Sequence, residues 1–339
     1  MSRALDFFVI IFFGCAICIF FFFYDISKTP DFYSYLNWYE TSIRGSLNNQ
    51  WVYFKDPAFF VLSNISYNIG LGIDGVIFSL VFISLFFKFF FVKKFYTGEV
   101  FFWVVILYIA RLFIIHDVIQ YRAGAAVGVS SLFTYLYIKG NKTKAFLLLC
   151  IALCIHLSAL LMLLILPIKR YLFKRQKKNL LGSILFIFAI LICIVILDPF
   201  KPIIEQMMTI PILQARISPY LNGQYEIISA PIFNSYIAVK LISYMIFIYW
   251  LYKNQSTVTV ENYFLFYILF FISLTGLGLY WFFRINDALS IRFSDFFAFY
   301  DLLFIASLLQ LFSLSGRFIF RFVLTLIVVV FIVSTSKLL

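Results

Sequence analysis

A run of twenty mostly apolar residues, IDGVIFSLVFISLFFKFFFV at 73–92, ends at the adjacent lysines Lys93 and Lys94. Twenty residues of α-helix rise about 30 Å, which matches the hydrocarbon thickness of a bilayer. Similar runs recur along the chain, and 64% of its 339 residues are apolar while 12% are charged. Water-soluble domains have about 45–50% apolar and about 25% charged residues. The composition excludes a soluble enzyme, a fibrous protein and a disordered chain, and it predicts an all-α polytopic membrane protein.

The apolar runs that are bounded by charged residues define the predicted transmembrane segments. We expect nine full spans, at 6–24, 73–92, 100–116, 123–138, 179–197, 232–252, 261–283, 296–313 and 318–335. Residues 1–339 then form a single transmembrane domain whose amino end lies inside the cell. Two long polar segments, 25–57 and 198–231, are predicted to be extracytoplasmic loops.

Two further segments leave the topology open. Residues 58–71 are short and carry two serines and two asparagines, which favours a helix at the membrane interface. Residues 145–167 are either a re-entrant hairpin that turns near His156 or one full span. The hairpin topology places most lysines and arginines inside, whereas counting both segments as spans, for a total of eleven, removes this bias. Because positive residues concentrate inside, we favour nine spans plus a re-entrant hairpin and an interfacial helix.

The net charge of +12 comes from 27 basic and 15 acidic residues. The basic residues flank the apolar runs, so we interpret them as a topology signal and expect no nucleic-acid partner. Two histidines, and no cluster of acids, cysteines and histidines at ligand spacing, predict no metal site and no cofactor. Cys15 and Cys18 lie in an apolar run without a second pair and are expected to be core residues.

Arg122 opens the predicted span at 123–138 on the outer face, and small residues follow it at 123–126 and 128. Small residues allow neighbouring helices to approach closely. A guanidinium beside the free backbone N–H groups at the start of a helix suits a diphosphate. The alternative is an arginine that only extends its head to the interface.

Two more arginines, Arg284 and Arg292, flank a short predicted outer loop. Either could face the same diphosphate as Arg122. The alternative for Arg292 is a simple helical ion pair with Asp295, three residues further on. Asp301 falls inside the following span, where a structural partner such as Arg111 is the simplest explanation.

His156 and Asp31 are the candidate proton acceptors. His156 lies deep in an apolar run, and ionisable groups at membrane depth usually face an internal cavity. Its imidazole could accept or orient the proton of a sugar hydroxyl, or it could be a core residue bonded to a backbone carbonyl. Asp31 shares a helix face with Tyr35, which could stack on a sugar. The alternative for Asp31 is a cap or first-turn acid of that helix.

Four short motifs follow one another along the chain: Pro-Asp-Phe-x-x-Tyr at 30–35, Lys-Asp-Pro-x-Phe at 55–59, Tyr-Arg-x-Gly-x-Ala at 121–126 and His-x-Ser-Ala at 156–159. Arg292 precedes a late predicted span. In this order and spacing they resemble the EpsG-like branch of the Wzy-type bacterial polysaccharide polymerases, over about residues 5–315. One departure is Gly124 with Ala125 after the arginine, where the branch suggests Gln-x-x-Ala.

The resemblance implies a GT-C-like helical bundle in the bacterial cytoplasmic (inner) membrane, with its active site facing the periplasm or exterior. Such a protein is similar to enzymes that transfer a glycan chain from a polyprenyl diphosphate onto the non-reducing end of another lipid-linked repeat unit. Neither a metal nor a sugar nucleotide is implied. Its implied partners are the lipid-linked donor and acceptor, membrane lipid and a chain-length regulator. We expect inversion at the anomeric carbon.

In this scheme the diphosphate is bound by Arg122, Arg292 and Arg284, and the base is His156 or Asp31. The sugars are expected to contact Tyr35, Arg216 and Tyr220. Two other classes stay open. A lipid-linked oligosaccharide flippase or other transporter predicts an internal inverted repeat, which the sequence does not display. A membrane acyltransferase predicts a histidine in the first spans, whereas the two histidines are at 116 and 156.

Overall fold

The computed structural model describes residues 24–47, 56–175, 178–197, 229–284 and 286–336, with the isolated positions 6, 13, 14, 17 and 20. Within these ranges the regular elements are all helices, which confirms the all-α prediction. The predicted sugar ligands Arg216 and Tyr220 lie outside the described residues, as do most of the first predicted span and of the loop at 198–231.

The chain divides into two compact units: residues 1–165 with 313–339 form unit 1, and residues 166–312 form unit 2. The helices of unit 1 are α1 (Phe32–Leu47), α2 (Pro57–Asn68), α3 (Gly72–Phe95), α4 (Glu99–Tyr108), α5 (Tyr121–Ile138), α6 (Lys142–Ile155) and, at the end of the chain, α12 (Leu314–Thr335). Those of unit 2 are α7 (Ile165–Lys174, beginning at the boundary), α8 (Leu181–Leu197), α9 (Ser235–Lys253), α10 (Phe264–Phe282) and α11 (Asp287–Ser307). A π-helical stretch, Ile109–Ile119, continues α4, and a 3₁₀ turn, Leu308–Leu311, continues α11.

Six of the described helices are long and apolar enough to cross a bilayer. They are α3, α4 with its π-helical continuation, α9, α10, α11 with its 3₁₀ turn, and α12. Each corresponds to a span expected from the sequence, which makes the chain a multi-pass membrane protein. The total of nine spans and the GT-C-like arrangement stay predictions.

The start of α11 differs from the sequence prediction. We expected the span to begin at 296, but the helix begins at Asp287. The side chain of Asn286 accepts a hydrogen bond from the Leu289 N–H at 3.0 Å and caps the helix at that point. Arg292 therefore lies inside a helix, and the prediction that it borders a loop was wrong.

The two ambiguous segments both contain short elements. The twelve residues of α2 rise about 18 Å, too little to cross a bilayer, in keeping with an interfacial helix. α6 ends at Ile155, and His156 adopts an extended conformation (φ −158°, ψ 128°) before a 3₁₀ helix, Leu157–Leu164. The chain thus breaks where we expected the hairpin to turn, and both arms pack against α5. The course of this segment through a membrane stays a prediction.

The small residues of α5 allow close helix contacts in unit 1. A Cβ atom added to Gly128 would lie 2.7 Å from the carbonyl oxygen of Ser84 in α3. A Cβ atom added to Gly124 would overlap the carbonyl oxygen of His116 in the π-helical stretch. The predicted close packing of this span is confirmed, and it fixes the start of α5 and hence Arg122.

Candidate functional site

Arg122, the second residue of α5, lies in a cluster of one carboxylate and three aromatic rings. Its guanidinium forms an ion pair with Asp56, and the two side chains are 12% and 5% exposed. The guanidinium carbon lies 3.9 Å from the ring centroid of Trp38, 5.3 Å from that of Tyr35 and 5.8 Å from that of Phe59. Cations at these distances from aromatic faces are stabilised by the ring quadrupole. We call these five residues the Arg122 cage.

Three separate chain segments build the Arg122 cage. Tyr35 and Trp38 are three residues apart and so share one face of α1. Asp56 is the N-cap of α2, and its backbone oxygen accepts a bond from the Phe59 N–H at 3.1 Å. Three of the four motifs in the sequence thus meet at one place in the fold. From the sequence we had predicted roles for Arg122 and Tyr35 but none for Trp38, Asp56 and Phe59.

Tyr35 is buried, with 3% of its surface exposed, and its ring packs edge-on against Trp38 and Tyr121. Burial raises the pKa of its phenol above the ordinary value, and the nearby Arg122 charge opposes this shift. The charge of Asp31 adds to the rise in pKa. Asp31 lies one turn before Tyr35, and its backbone oxygen accepts a hydrogen bond from the Tyr35 N–H at 3.1 Å. The structure therefore brings Asp31, Tyr35 and Arg122 together in unit 1.

The start of α5 follows directly on the π-helical stretch and carries Arg122 in its first turn. Gln120 occupies the N-cap, and its side chain makes no capping hydrogen bond. The Nε atom of Arg122 is buried and has no hydrogen-bond partner among the described residues. Helix starts with N–H groups of this kind favour anions. The cage thus combines cationic and hydrogen-bonding character with an apolar wall.

His156 is half-buried at the break after α6. Its Nδ1 atom accepts a hydrogen bond from the Ser158 N–H at 3.2 Å. A neutral imidazole that accepts at Nδ1 carries its proton on Nε2. In this tautomer Nε2 is the hydrogen-bond donor of the ring, and the role of His156 in proton transfer stays a prediction.

The other predicted diphosphate ligands belong to unit 2. Arg284 is half-buried just after α10, and its backbone oxygen accepts a bond from the Ala230 N–H at 2.8 Å. Arg292 is exposed on α11, while Asp295 on the same helix is buried. A common ligand for these arginines and Arg122 stays a prediction.

A second buried polar cluster surrounds Lys88 of α3. We had predicted no partner for this lysine from the sequence. Its Nζ atom lies 2.6 Å from the Tyr108 hydroxyl, 3.6 Å from Oδ1 of Asp117 and 3.5 Å from Nδ1 of His116. The Tyr108 hydroxyl also donates to Asp117. The π-helical stretch buries both His116 and Asp117 against Lys88. The sequence feature that could have revealed this cluster is Lys88 itself, because a lysine inside an apolar run needs a polar partner at membrane depth.

No group of three or more His, Cys, Asp or Glu side chains in the described ranges could hold a metal ion.

The helical architecture and the spans define an integral membrane protein with a caged arginine at one helix start. The family model described as the EpsG family matches residues 7–338, nearly the whole chain. The chain therefore belongs to the EpsG family and is a membrane protein of polysaccharide biosynthesis, as the motif resemblance predicted. No curated protein and no solved structure matches it.

Proposed function

We propose that this protein is a polysaccharide polymerase that acts on lipid-linked repeat units at the extracytoplasmic side of the bacterial cytoplasmic membrane. An acceptor hydroxyl at the non-reducing end of one unit attacks the anomeric carbon of the donor chain. The new C–O bond forms as the bond to the carrier phosphate breaks, and the polyprenyl diphosphate leaves with the electron pair. A base takes the hydroxyl proton, and the anomeric centre inverts.

The observation that carries this proposal is the convergence of three motifs on Arg122. The leaving group gains negative charge as its bond to carbon breaks, and a fixed cation in a water-poor site stabilises that charge most. The Arg122 cage offers such a cation between aromatic rings, next to the backbone N–H groups of α5. A bidentate contact of the guanidinium with phosphate oxygens would add orientation to charge.

The remaining roles are proposals, supported for Asp31 and His156 by local geometry and for the other residues by the sequence. Asp31, near Tyr35, is the proposed base, and His156 is proposed to orient an oxygen through Nε2–H. Tyr35 stays neutral and holds one wall of the cage around Arg122, and its contact with a sugar remains a proposal from the sequence. Arg284 and Arg292 are proposed as further diphosphate ligands. Arg216 and Tyr220 remain proposed sugar ligands, and a chain-length regulator remains an expected partner.

The test is polymerisation by purified protein from a lipid-linked oligosaccharide, followed as a ladder of glycan lengths. Arg122→Lys keeps the charge but loses the planar fork, and we expect it to slow chain growth. Arg122→Ala should reduce the rate by about 10²–10³-fold, the size of losing one charge-stabilising group. Arg321→Ala, which removes an exposed arginine paired with Glu99, is the matched control and should polymerise normally. Normal ladders from folded Arg122→Ala protein would refute the proposal.

A further inference from the structure

Asp56 occupies a hydrogen-bonding edge of Arg122 that an oxyanion would also use. Its Oδ2 atom pairs with Nη1 of the guanidinium. A guanidinium donates only in its plane, and aromatic rings lie over this one, Trp38 being nearest. An incoming phosphate therefore approaches in the plane, where Asp56 already occupies Nη1.

We infer that Asp56 is a built-in competitor for the anion site at Arg122, which sets a threshold that a diphosphate passes and a singly charged phosphate does not. The inference rests on the proposed function and deepens it. Asp56 acts through Arg122, so it is a positioning residue that determines selectivity.

The energetics of the pair support this role. Asp56 is only 5% exposed, so its carboxylate loses its counter-charge in a poorly hydrated place when an anion displaces it. An uncompensated buried charge is costly. Every anion that displaces Asp56 from Nη1 of Arg122 must overcome this same cost, whatever its own charge. A diphosphate offers more charge and more acceptor oxygens than a phosphodiester and can overcome it.

The lipids around the protein explain why a threshold for anion binding would be useful. In the proposed function Arg122 meets phosphates at the outer side of the membrane, where the headgroups of bulk lipids far outnumber the carrier. With Asp56 in place, a headgroup of one negative charge gains little by replacing the carboxylate. The site then stays available for the rare carrier diphosphate.

The carboxylate of Asp56 does not cap the helix that it precedes. Asp56 is the N-cap of α2, but its side chain makes no capping hydrogen bond. Removal of the charge therefore does not remove a capping hydrogen bond from the start of α2. Asp56→Asn is nearly isosteric and removes only the competing charge. Asp56→Ser provides a second variant, because serine is itself a favourable N-cap.

The experiment measures binding of inorganic pyrophosphate and of orthophosphate to the full-length protein in phosphatidylcholine nanodiscs by calorimetry. Simple competition lowers the affinity for both anions by one factor. We therefore expect Asp56→Asn and Asp56→Ser to bind both anions about tenfold more tightly, a change of about 1.4 kcal/mol. Added phosphatidylglycerol should then inhibit pyrophosphate binding in the variants more than in the wild type. Pyrophosphate should also raise the melting temperature of the variants more than that of the wild type.

The controls separate this inference from the proposed function. Glu99→Gln removes the carboxylate of the exposed pair with Arg321 and should leave pyrophosphate affinity unchanged. Adding Arg122→Ala to Asp56→Asn should abolish the gained affinity. If Arg122→Ala alone leaves pyrophosphate binding intact, the proposed role of Arg122 fails. If binding depends on Arg122 but both Asp56 variants bind as weakly as the wild type or more weakly, the competitor role alone is overturned.

Discussion

Lys240 of α9 and Asp301 of α11 form an ion pair inside unit 2, with 2.9 Å between Nζ and Oδ2 and at most 3% of either side chain exposed. The Tyr236 hydroxyl donates to the same carboxylate oxygen at 2.6 Å. Both helices are long and apolar enough to span a bilayer, where a charge needs a partner. We had suggested an arginine such as Arg111 as the partner of Asp301; the structure shows Lys240 instead.

This pair predicts a strongly non-additive pair of mutations. Lys240→Met should lower the free energy of unfolding by about 3–5 kcal/mol, because it leaves the Asp301 carboxylate buried without its cation. Asp301→Asn should cost a similar amount for the converse reason. The double variant should be more stable than the sum of the two losses, since neither charge then stays uncompensated. Thermal unfolding in detergent measures all three.

A surface pair provides the comparison. Lys28 and Asp25 lie 3.9 Å apart with 75% and 54% of their side chains exposed. Lys28→Met should change stability by less than about 1 kcal/mol, since water and salt screen such pairs. Additive losses in the Lys240 and Asp301 double variant would show that the buried pair is not coupled.

Residue chemistry and local spacing were enough to predict the six described spans and to single out Arg122 and Tyr35 as candidate site residues. They were not enough to identify the partners of Arg122. Asp56 lies 66 positions before Arg122, and periodicity within one helix does not show which distant carboxylate a side chain meets. Trp38 could not be distinguished from other aromatic residues by sequence alone, because 22% of the chain is aromatic. The tautomer implied for His156 depends on one backbone N–H, which only the fold positions.

The glycines of α5 predict a graded loss of stability. Gly128→Ala places a methyl group 2.7 Å from the Ser84 carbonyl oxygen, and Gly124→Ala overlaps the His116 carbonyl oxygen. Each should cost about 1–3 kcal/mol, because helix backbones must separate. Gly182→Ala in α8, where nothing lies within 4 Å, is the control and should be neutral or slightly stabilising. An unchanged melting temperature for Gly124→Ala would contradict the tight contact between α5 and the π-helical stretch.

Tyr35 predicts a difference in stability at high pH. Burial raises the pKa of its phenol in the folded protein above the unfolded value of about 10. The stabilisation from keeping this phenol neutral is complete below pH 10 and is lost as the pH rises through the folded pKa. Tyr35→Phe cannot ionise, so the stability advantage of the wild type over this variant should shrink above pH 10. Melting temperatures of both proteins between pH 8 and 11 give the comparison, and a constant difference would argue against a buried neutral phenol.

His156 gives a prediction that distinguishes a hydrogen-bond donor from a base. Its Nδ1 atom accepts from the Ser158 N–H, so the neutral ring offers Nε2–H to a substrate oxygen. Asparagine can reproduce this arrangement, because its carbonyl oxygen can accept from the N–H two residues on while its amide group donates. His156→Asn should therefore retain polymerisation at a reduced rate, whereas His156→Ala should lose it, with both proteins folded by thermal unfolding. If the imidazole is instead the proton acceptor, asparagine cannot replace it, and the two variants will be equally inactive.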